Sequence, residues 1–152
     1  ESLNNHFRVD LGLFFNDFGS IQNGFSEGRQ KSFYFDRIIG KGYNQCESLN
    51  DPTAHAEILA ITAAANTLDN WRLNQCTIYV TKEPCSMCAG AIINARLKSL
   101  IFGAYDEKKG CCGSLYQLCG DRRMNSQTSV KGGVMEEDCS YLLKNFFSSK
   151  RD

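Results

Sequence analysis

Apolar residues recur three or four positions apart through the first 28 residues of the chain. This spacing places them on one face of a helix, and they are Leu3, Phe7, Leu11, Phe14, Phe18, Ile21 and Phe25. The stretch from Val9 to Phe15 also alternates as a strand would, and Gly12, Gly19 and Gly24 argue against a stable helix. We predict a helix here, with a strand as the alternative.

Beyond residue 32, short strand-like segments alternate with helical ones. The predicted strands lie within Ser32–Tyr43, at Cys76–Thr81, at Leu100–Gly103 and at Val130. The turn Asn50–Thr53, with Asp51 or Thr53 as the cap, starts a helix that reaches about Leu68. Further helices are predicted over Ser86–Ala95 and Glu136–Phe147. Strands that alternate with helices predict a layered α/β domain.

Composition excludes several classes of protein. The chain has 152 residues, of which 42% are hydrophobic, and this is enough for one domain with a hydrophobic core. No apolar run approaches the roughly 18 residues of a membrane span, so we expect no membrane association. Lys+Arg and Asp+Glu both total 17, so the net charge gives no argument for nucleic-acid binding.

The eight cysteines bear on the compartment. A disulfide scaffold is less favoured because the chain is long, no secretory signal is recognised, and two cysteines form a C-x-x-C with a histidine available. We therefore expect a reduced, cytoplasmic protein with a metal site. The other cysteines show no ligand spacing and are expected to be buried or free thiols: Cys46, Cys76, Cys111, Cys112, Cys119 and Cys139.

Three short stretches carry the candidate chemistry, and they are His55-Ala56-Glu57, Pro84-Cys85 and Cys88. Together they match H-x-E followed by P-C-x-x-C, the known signature of zinc-dependent nucleobase deaminases. Zinc takes nitrogen and thiolate ligands in a tetrahedron, and a catalytic site leaves one position for water. We therefore predict His55, Cys85 and Cys88 as ligands of one Zn²⁺ per subunit. Glu57 is predicted to transfer the proton of the activated water.

A closed structural zinc site is the main alternative for the C-x-x-C pair. Its fourth ligand would come from Cys111, Cys112 or Cys119. That interpretation leaves Glu57 and Pro84 unexplained, and a redox dithiol lacks any supporting pattern around the pair.

Longer stretches around the motif resemble the bacterial tRNA adenosine deaminase family. They are His55–Ala60, Thr77–Ile92, Phe102–Asp106 and Gly113–Leu115. The resemblance covers about Arg37 to the C-terminus, and residues 1–35 depart from the family pattern. It implies a three-layer α/β/α cytidine deaminase-like fold with a central five-stranded mixed sheet, and the length and the lack of a recognisable linker predict one domain over 1–152. It also implies a homodimer that converts adenosine to inosine at the wobble position of a tRNA anticodon, chiefly that of an arginine tRNA.

The same resemblance assigns roles to individual residues. Asn44 matches the residue that hydrogen-bonds the flipped adenine, and the backbone around Ala56 and Pro84-Cys85 would frame the base. Asp106 matches a residue near the ribose and phosphate beside the target, and Phe146-Phe147 match aromatics that close over the anticodon loop. Basic residues nearby add candidate RNA contacts: Lys108, Lys109 and Arg122.

Two other functions compete with this one. A small-molecule deaminase acting on guanine, cytosine or a nucleoside would need no basic rim, and the neutral net charge permits it. A non-catalytic zinc protein that only binds RNA is the third hypothesis, but the intact Glu57 argues against it. The Phe102–Asp106 stretch and the C-terminal phenylalanine pair favour the tRNA enzyme.

Overall fold

A computed structural model describes residues 9–13 and 37–149 of the chain. In chain order the elements are β1 (Val9–Leu13), β2 (Arg37–Gly42), α1 (Cys46–Leu49), α2 (Ala56–Leu68), β3 (Cys76–Lys82), α3 (Ser86–Asn94), β4 (Ser99–Ala104), β5 (Ser129–Lys131) and α4 (Glu136–Ser149). In this part of the chain, every helix is too short or too polar to cross a membrane.

The described strands form one mixed sheet in the order β2-β1-β3-β4-β5. Strand β1 runs antiparallel to both of its neighbours, whereas β3, β4 and β5 run parallel to one another. The carboxyl ends of β3 and β4 therefore meet at one edge, where Lys82 pairs with Ala104. The loops that leave this edge begin side by side.

Strand β1 shows that the helix predicted over residues 1–28 is wrong at Val9–Leu13. Leu11 is paired with Gly40 of β2 on one side and with Ile78 of β3 on the other. Backbone pairing along both edges outweighs the helical spacing of the apolar residues, and the alternation of this stretch is compatible with a strand. The remainder of the predicted helix, and residues 32–36 of the next predicted strand segment, lie outside the described residues.

The start of α2 also differs from the prediction. His55, not Asp51 or Thr53, is the N-cap residue, with extended backbone at φ −71° and ψ 152°. Asp51 instead accepts a hydrogen bond from the Thr53 backbone N–H (2.8 Å) and another from the Thr53 hydroxyl, which closes the preceding turn. The short helix α1 was not predicted. The helices and strands predicted from residue 76 onward are confirmed, with ends that differ by one or two residues.

The two faces of the sheet are covered by different helices. Leu100 and Phe102 of β4 belong to a buried cluster that includes Ala60 of α2 and Ile92 of α3. Successive strand residues point to opposite faces, and Gly103 accordingly faces α4, where a Cβ would overlap the side chain of Cys139. Helices α2 and α3 thus lie on one face and α4 on the other, as in an α/β sandwich.

Close packing of α2 against β2 depends on glycine in the strand. A Cβ at Gly42 would overlap the Ala56 carbonyl oxygen and lie 2.8 Å from the Ala60 nitrogen, and backbone atoms cannot move aside cheaply. We expect Gly42→Ala to lower the free energy of unfolding by about 1–3 kcal/mol, measured by urea denaturation. Gly90→Ala is the control, because a Cβ at Gly90 meets nothing within 4 Å. An equal loss in both variants would contradict the packing argument.

Candidate active site

Two helix N-termini bring the predicted metal ligands together. His55 is the N-cap residue of α2, and Cys85 is the N-cap residue of α3. Cys88 follows in the first turn of α3 and is fully buried. Pro84 comes directly before this helix, so the chain enters α3 from an extended segment. The positive end of a helix dipole favours thiolate over thiol at both cysteines.

The distances between the donor atoms fit a tetrahedral metal. The Nδ1 atom of His55 lies 3.6 Å from the Cys85 sulfur and 3.5 Å from the Cys88 sulfur. A tetrahedral zinc with bonds of about 2.05 Å to nitrogen and 2.3 Å to sulfur requires a nitrogen–sulfur separation of about 3.6 Å. All three donor atoms lie within 4.8 Å of one another. One nitrogen and two sulfurs suit Zn²⁺ and leave a fourth position for water.

The other cysteines do not complete a closed structural site. Cys112 and Cys119 face each other with their sulfurs 3.7 Å apart. The Cys111 thiol is directed at the Lys109 carbonyl oxygen, 3.5 Å away. Within the described residues, the group with metal-binding geometry consists of His55, Cys85 and Cys88 alone. Among residues 9–13 and 37–149, the three ligands are therefore those of a zinc site with an open fourth position.

Hydrogen bonding between the two thiols sets their protonation. The Cys88 thiol donates to the Cys85 sulfur, and this bond, helped by nearby backbone N–H groups, lowers the pKa of Cys85 to about 5. The same bond and burial raise the pKa of Cys88, because its proton is shared with Cys85. A bound divalent cation would deprotonate both thiols.

Glu57 lies in the first turn of α2, two residues after His55, and its side chain is 9% exposed. Burial raises the pKa of its carboxyl group above the ordinary value, because a charge is costly away from water. Near the metal ligands, a carboxyl group with a raised pKa holds and releases a proton more readily at neutral pH. This is the property that a proton shuttle requires.

A cavity of about 270 Å³ opens above the metal ligands. Its size is near the lower end for small-molecule pockets, which suits one base. It is lined by Asn44, His55, Ala56, Glu57, Val80, Thr81, Lys82, Glu83, Cys85, Asp106, Lys109, Leu143 and Phe147. The cavity thus brings five of the residues predicted to contact substrate or RNA close to Glu57. They are Asn44, Ala56, Asp106, Lys109 and Phe147.

Comparison with known proteins agrees with this geometry. Residues 34–151 match the MafB19-like deaminase family. The chain is 48% identical over 115 residues to the tRNA-specific adenosine deaminase of Haemophilus influenzae, covering 76% of this chain and 66% of that protein. It is 45% identical over 114 residues to the enzyme of the same name from Bacillus subtilis, covering 75% and 71%. The chain belongs to the tRNA-specific adenosine deaminase family. It spans about two thirds of the length of these relatives.

Solved structures support the same assignment of fold. One, from a study of A-to-I editing by tRNA:A34 deaminases at the wobble position, has a TM-score of 0.72 and 31% identity, covering 90% of this chain and 83% of that one. A guanine deaminase from Nitrosomonas europaea has a TM-score of 0.67 at 21% identity, covering 92% and 71%, and shows the shared fold alone. The predicted α/β cytidine deaminase-like fold is confirmed.

In this member of the family, Asn44 and Asp106 lie on the cavity wall and are held by backbone groups. The Asn44 carboxamide oxygen accepts a hydrogen bond from the Cys46 N–H (3.0 Å). The Asp106 carboxylate pairs with the Lys82 ammonium at 2.7 Å and accepts from the N–H groups of Lys108 (3.1 Å) and Lys109 (3.2 Å). Burial works to raise the pKa of Asp106, but Lys82 and these amides outweigh it and lower the pKa.

Some predicted site residues are not brought to the cavity surface. Pro84 is buried, and its carbonyl oxygen accepts from the Cys111 N–H at 2.9 Å. Lys108 and Arg122 are exposed and lie outside the cavity lining. Lys109 and Phe147 do line it, and Phe147 is 47% exposed. The RNA contacts assigned to Lys108, Lys109, Arg122 and Phe147 stay predictions.

Sequence reasoning missed two charged residues of this site. Lys82 lines the cavity and pairs with Asp106, and Glu83 lies beside it with its carboxylate almost completely buried. Their position directly before Pro84-Cys85, at the end of a strand, is the signal that would have pointed to them. Two charged residues between a buried strand and a metal-ligand motif are unlike ordinary surface residues, which favours a role in the site.

Proposed function

We propose that this chain catalyses the hydrolytic deamination of adenosine to inosine at the wobble position of a tRNA anticodon. The observation that carries the proposal is the buried Glu57 beside His55, Cys85 and Cys88 at the floor of a cavity of base size. The relatives named tRNA-specific adenosine deaminase support adenosine in tRNA as the substrate.

The chemistry follows from the positions of the side chains. His55, Cys85 and Cys88 would hold zinc, which when bound would supply the Lewis acidity that activates water. Glu57 takes a proton from the attacking water, delivers it to a ring nitrogen of the base, and later protonates the leaving amine. The products are ammonia and a base with a ring carbonyl.

Recognition of the base falls to the cavity wall. The Asn44 oxygen is engaged with Cys46, so the amide NH₂ group is the part that can donate to a ring nitrogen of adenine. A base inside a stack is out of reach of this cavity, whereas a loop nucleotide costs little to splay outward. Asp106 and Lys109 at the cavity edge would meet the ribose and phosphate of the extruded nucleotide.

Residues on the surface around the cavity supply the remaining RNA contacts in this proposal. Phe147 offers an exposed ring on which a neighbouring base can stack, and Lys108 lies beside Asp106. Arg122 is exposed farther along the chain and would meet the backbone of the anticodon stem. An arginine tRNA is the proposed substrate, because the family resemblance implies it.

We also propose that residues 1–152 form one domain with the three-layer α/β/α arrangement around the five-stranded mixed sheet. A homodimer is supported by apolar side chains exposed outside the cavity, including Leu115, Tyr116 and Met124. A cytoplasmic location is supported by the cysteines, which are all free.

An inosine assay tests the proposed function directly. The substrate is an anticodon stem-loop with adenosine at the wobble position, and parallel reactions contain guanine and cytidine. We expect inosine from the stem-loop and no ammonia from either small molecule. Ammonia from guanine without inosine from the stem-loop would instead establish a small-molecule deaminase.

Replacing Asn44 by alanine tests the recognition of the base. Loss of the Asn44 NH₂ group should lower kcat/KM for the stem-loop by about 10- to 100-fold, because one hydrogen bond to the base is lost. Zinc content should not change. Asn70→Ala is the matched control, because the Asn70 carboxamide also accepts a backbone hydrogen bond, from Arg72 at 3.0 Å, but lies outside this cavity. Unchanged kcat/KM in Asn44→Ala would remove Asn44 from the binding site.

A further inference from the structure

Glu83 is a buried side chain whose two carboxyl oxygens both accept hydrogen bonds. It is 3% exposed, and among the described residues no basic side chain pairs with it. Its Oε2 atom accepts from the Asp106 N–H (2.9 Å) and from the Ser114 hydroxyl. Its Oε1 atom accepts from the N–H groups of Cys112 (3.2 Å) and Ser114 (2.7 Å). Four donors therefore converge on one carboxyl group, and these hydrogen bonds compensate for its removal from water.

These donors come from both ends of one loop, residues 105–114, which we call the rim loop. It leaves the end of β4, and its middle passes over the Glu83 side chain. Gly110 makes this possible, because a Cβ there would overlap the Glu83 carboxyl group and lie 2.6 Å from the Asp106 carbonyl oxygen. The rim loop therefore contacts the Glu83 carboxyl group at both of its ends and in its middle.

The backbone at Glu83 and Pro84 is held by the end of β4 and by the rim loop. Its N–H donates to the Ala104 carbonyl oxygen at 2.8 Å, and the next residue, Pro84, accepts from Cys111 of the rim loop at 2.9 Å. Cys85, a zinc ligand, follows immediately. Glu83 therefore lies between the zinc ligands and the loop that carries Asp106 and Lys109 into the cavity wall.

We propose that Glu83 is a positioning residue for substrate binding: its carboxylate holds the rim loop so that Asp106 and Lys109 face the extruded nucleotide. The four hydrogen bonds of its carboxylate all go to the rim loop and none goes to a zinc ligand. We therefore expect its loss to change KM and not kcat. The nature of the substrate rests on the proposed function, but the hold of Glu83 on the rim loop does not.

Glu83→Gln is the decisive variant. An amide keeps the shape but replaces one acceptor oxygen by an NH₂ group, which must then face two donors of the rim loop. We expect the amides of Asp106, Cys112 and Ser114 to exchange hydrogen at least about tenfold faster, while the amides of α2 stay protected. Zinc content should stay at one per chain. KM for the stem-loop should rise about tenfold, with kcat within about threefold of the wild type.

Two further variants make the test specific. Glu107→Gln removes the same charge from an exposed position in the same loop, and should change neither exchange nor KM. Ser114→Ala removes one donor to Glu83 and leaves the carboxylate, so it should produce a weaker change of the same kind. If Glu83→Gln does not fold, Ser114→Ala decides the question in its place.

A double-mutant cycle with Asp106→Asn identifies the residue through which Glu83 acts. If Glu83 works by placing Asp106, the two changes in KM should combine to less than their product. Fully multiplicative effects, a fall in kcat at constant KM, or unchanged exchange in the rim loop would each overturn the proposal. Failure of the wild type to form inosine would instead refute the proposed function, and the exchange measurement would still decide whether Glu83 holds the loop.

Discussion

Glu57→Gln should reduce kcat for deamination by about 10²- to 10⁴-fold while leaving the zinc in place. The amide has nearly the volume of the carboxylate, so the buried position at the start of α2 stays filled and the cavity keeps its shape. What is lost is the ability to take a proton from water and pass it to the base. Since binding of the base does not require that proton, KM should change much less than kcat.

The measurement combines single-turnover inosine formation with the zinc content of the same sample. Glu137→Gln, an exposed residue in the first turn of α4, serves as the control for loss of one carboxylate and should keep full activity. A Glu57→Gln enzyme with wild-type turnover would show that another group shuttles the proton. A loss of zinc in this variant would show that Glu57 also helps to hold the metal.

The zinc site could be predicted from sequence because its ligands and Glu57 are fixed by residues close to one another in the chain. Cys85 and Cys88 are three positions apart at a helix start, and this spacing alone lets both sulfurs reach one point. Glu57 is likewise fixed relative to His55 by the first turn of α2. The distances of 3.5 and 3.6 Å between the histidine nitrogen and the two sulfurs agree with what that motif requires.

The start of the chain could not be predicted in the same way. Strand β1 exists because its backbone pairs with β2 and with β3, which lie well away from it in sequence. The alternation of residues 9–13 permitted a strand, but the longer apolar spacing over residues 1–28 favoured a helix, which was the wrong structure. The cap of α2 was missed for a related reason: Asp51 forms its hydrogen bonds inside the preceding turn, so the helix begins only at His55.

Glu83 shows why part of the site stays hidden in a single sequence. Its partners, Asp106, Cys112 and Ser114, follow it by 23, 29 and 31 positions. A glutamate before Pro-Cys does not indicate whether it faces solvent or a loop from the next strand. The parallel pairing of β3 with β4 settles this, because it places the end of β3 beside the loop that leaves β4.

Cys88→Ala should lose both zinc and activity, which distinguishes a metal ligand from the proton shuttle. Cys88 is fully buried and supplies one of the three donor atoms, so its removal leaves two ligands and an incomplete tetrahedron. Zinc affinity should fall by more than about 100-fold, the upper range seen when only a supporting contact to a ligand is removed. Deamination should fall below detection, because no activated water forms without the metal.

The loss of zinc is measured as the zinc content after gel filtration in a buffer that contains a weak chelator. Thermal unfolding of the same sample reports whether the fold survives. Cys76→Ala is the matched control: Cys76 is an equally buried thiol in β3, where burial raises its pKa to about 11 and keeps it unreactive. That variant should lose some stability through its cavity but keep its zinc and its turnover.

Full zinc occupancy in Cys88→Ala would contradict the ligand assignment. Zinc loss in both variants would show that disturbance of the hydrophobic core, and not loss of a ligand, releases the metal. Zinc loss in Cys88→Ala alone, together with an inactive but zinc-loaded Glu57→Gln, would assign metal binding and proton transfer to separate residues of one cavity.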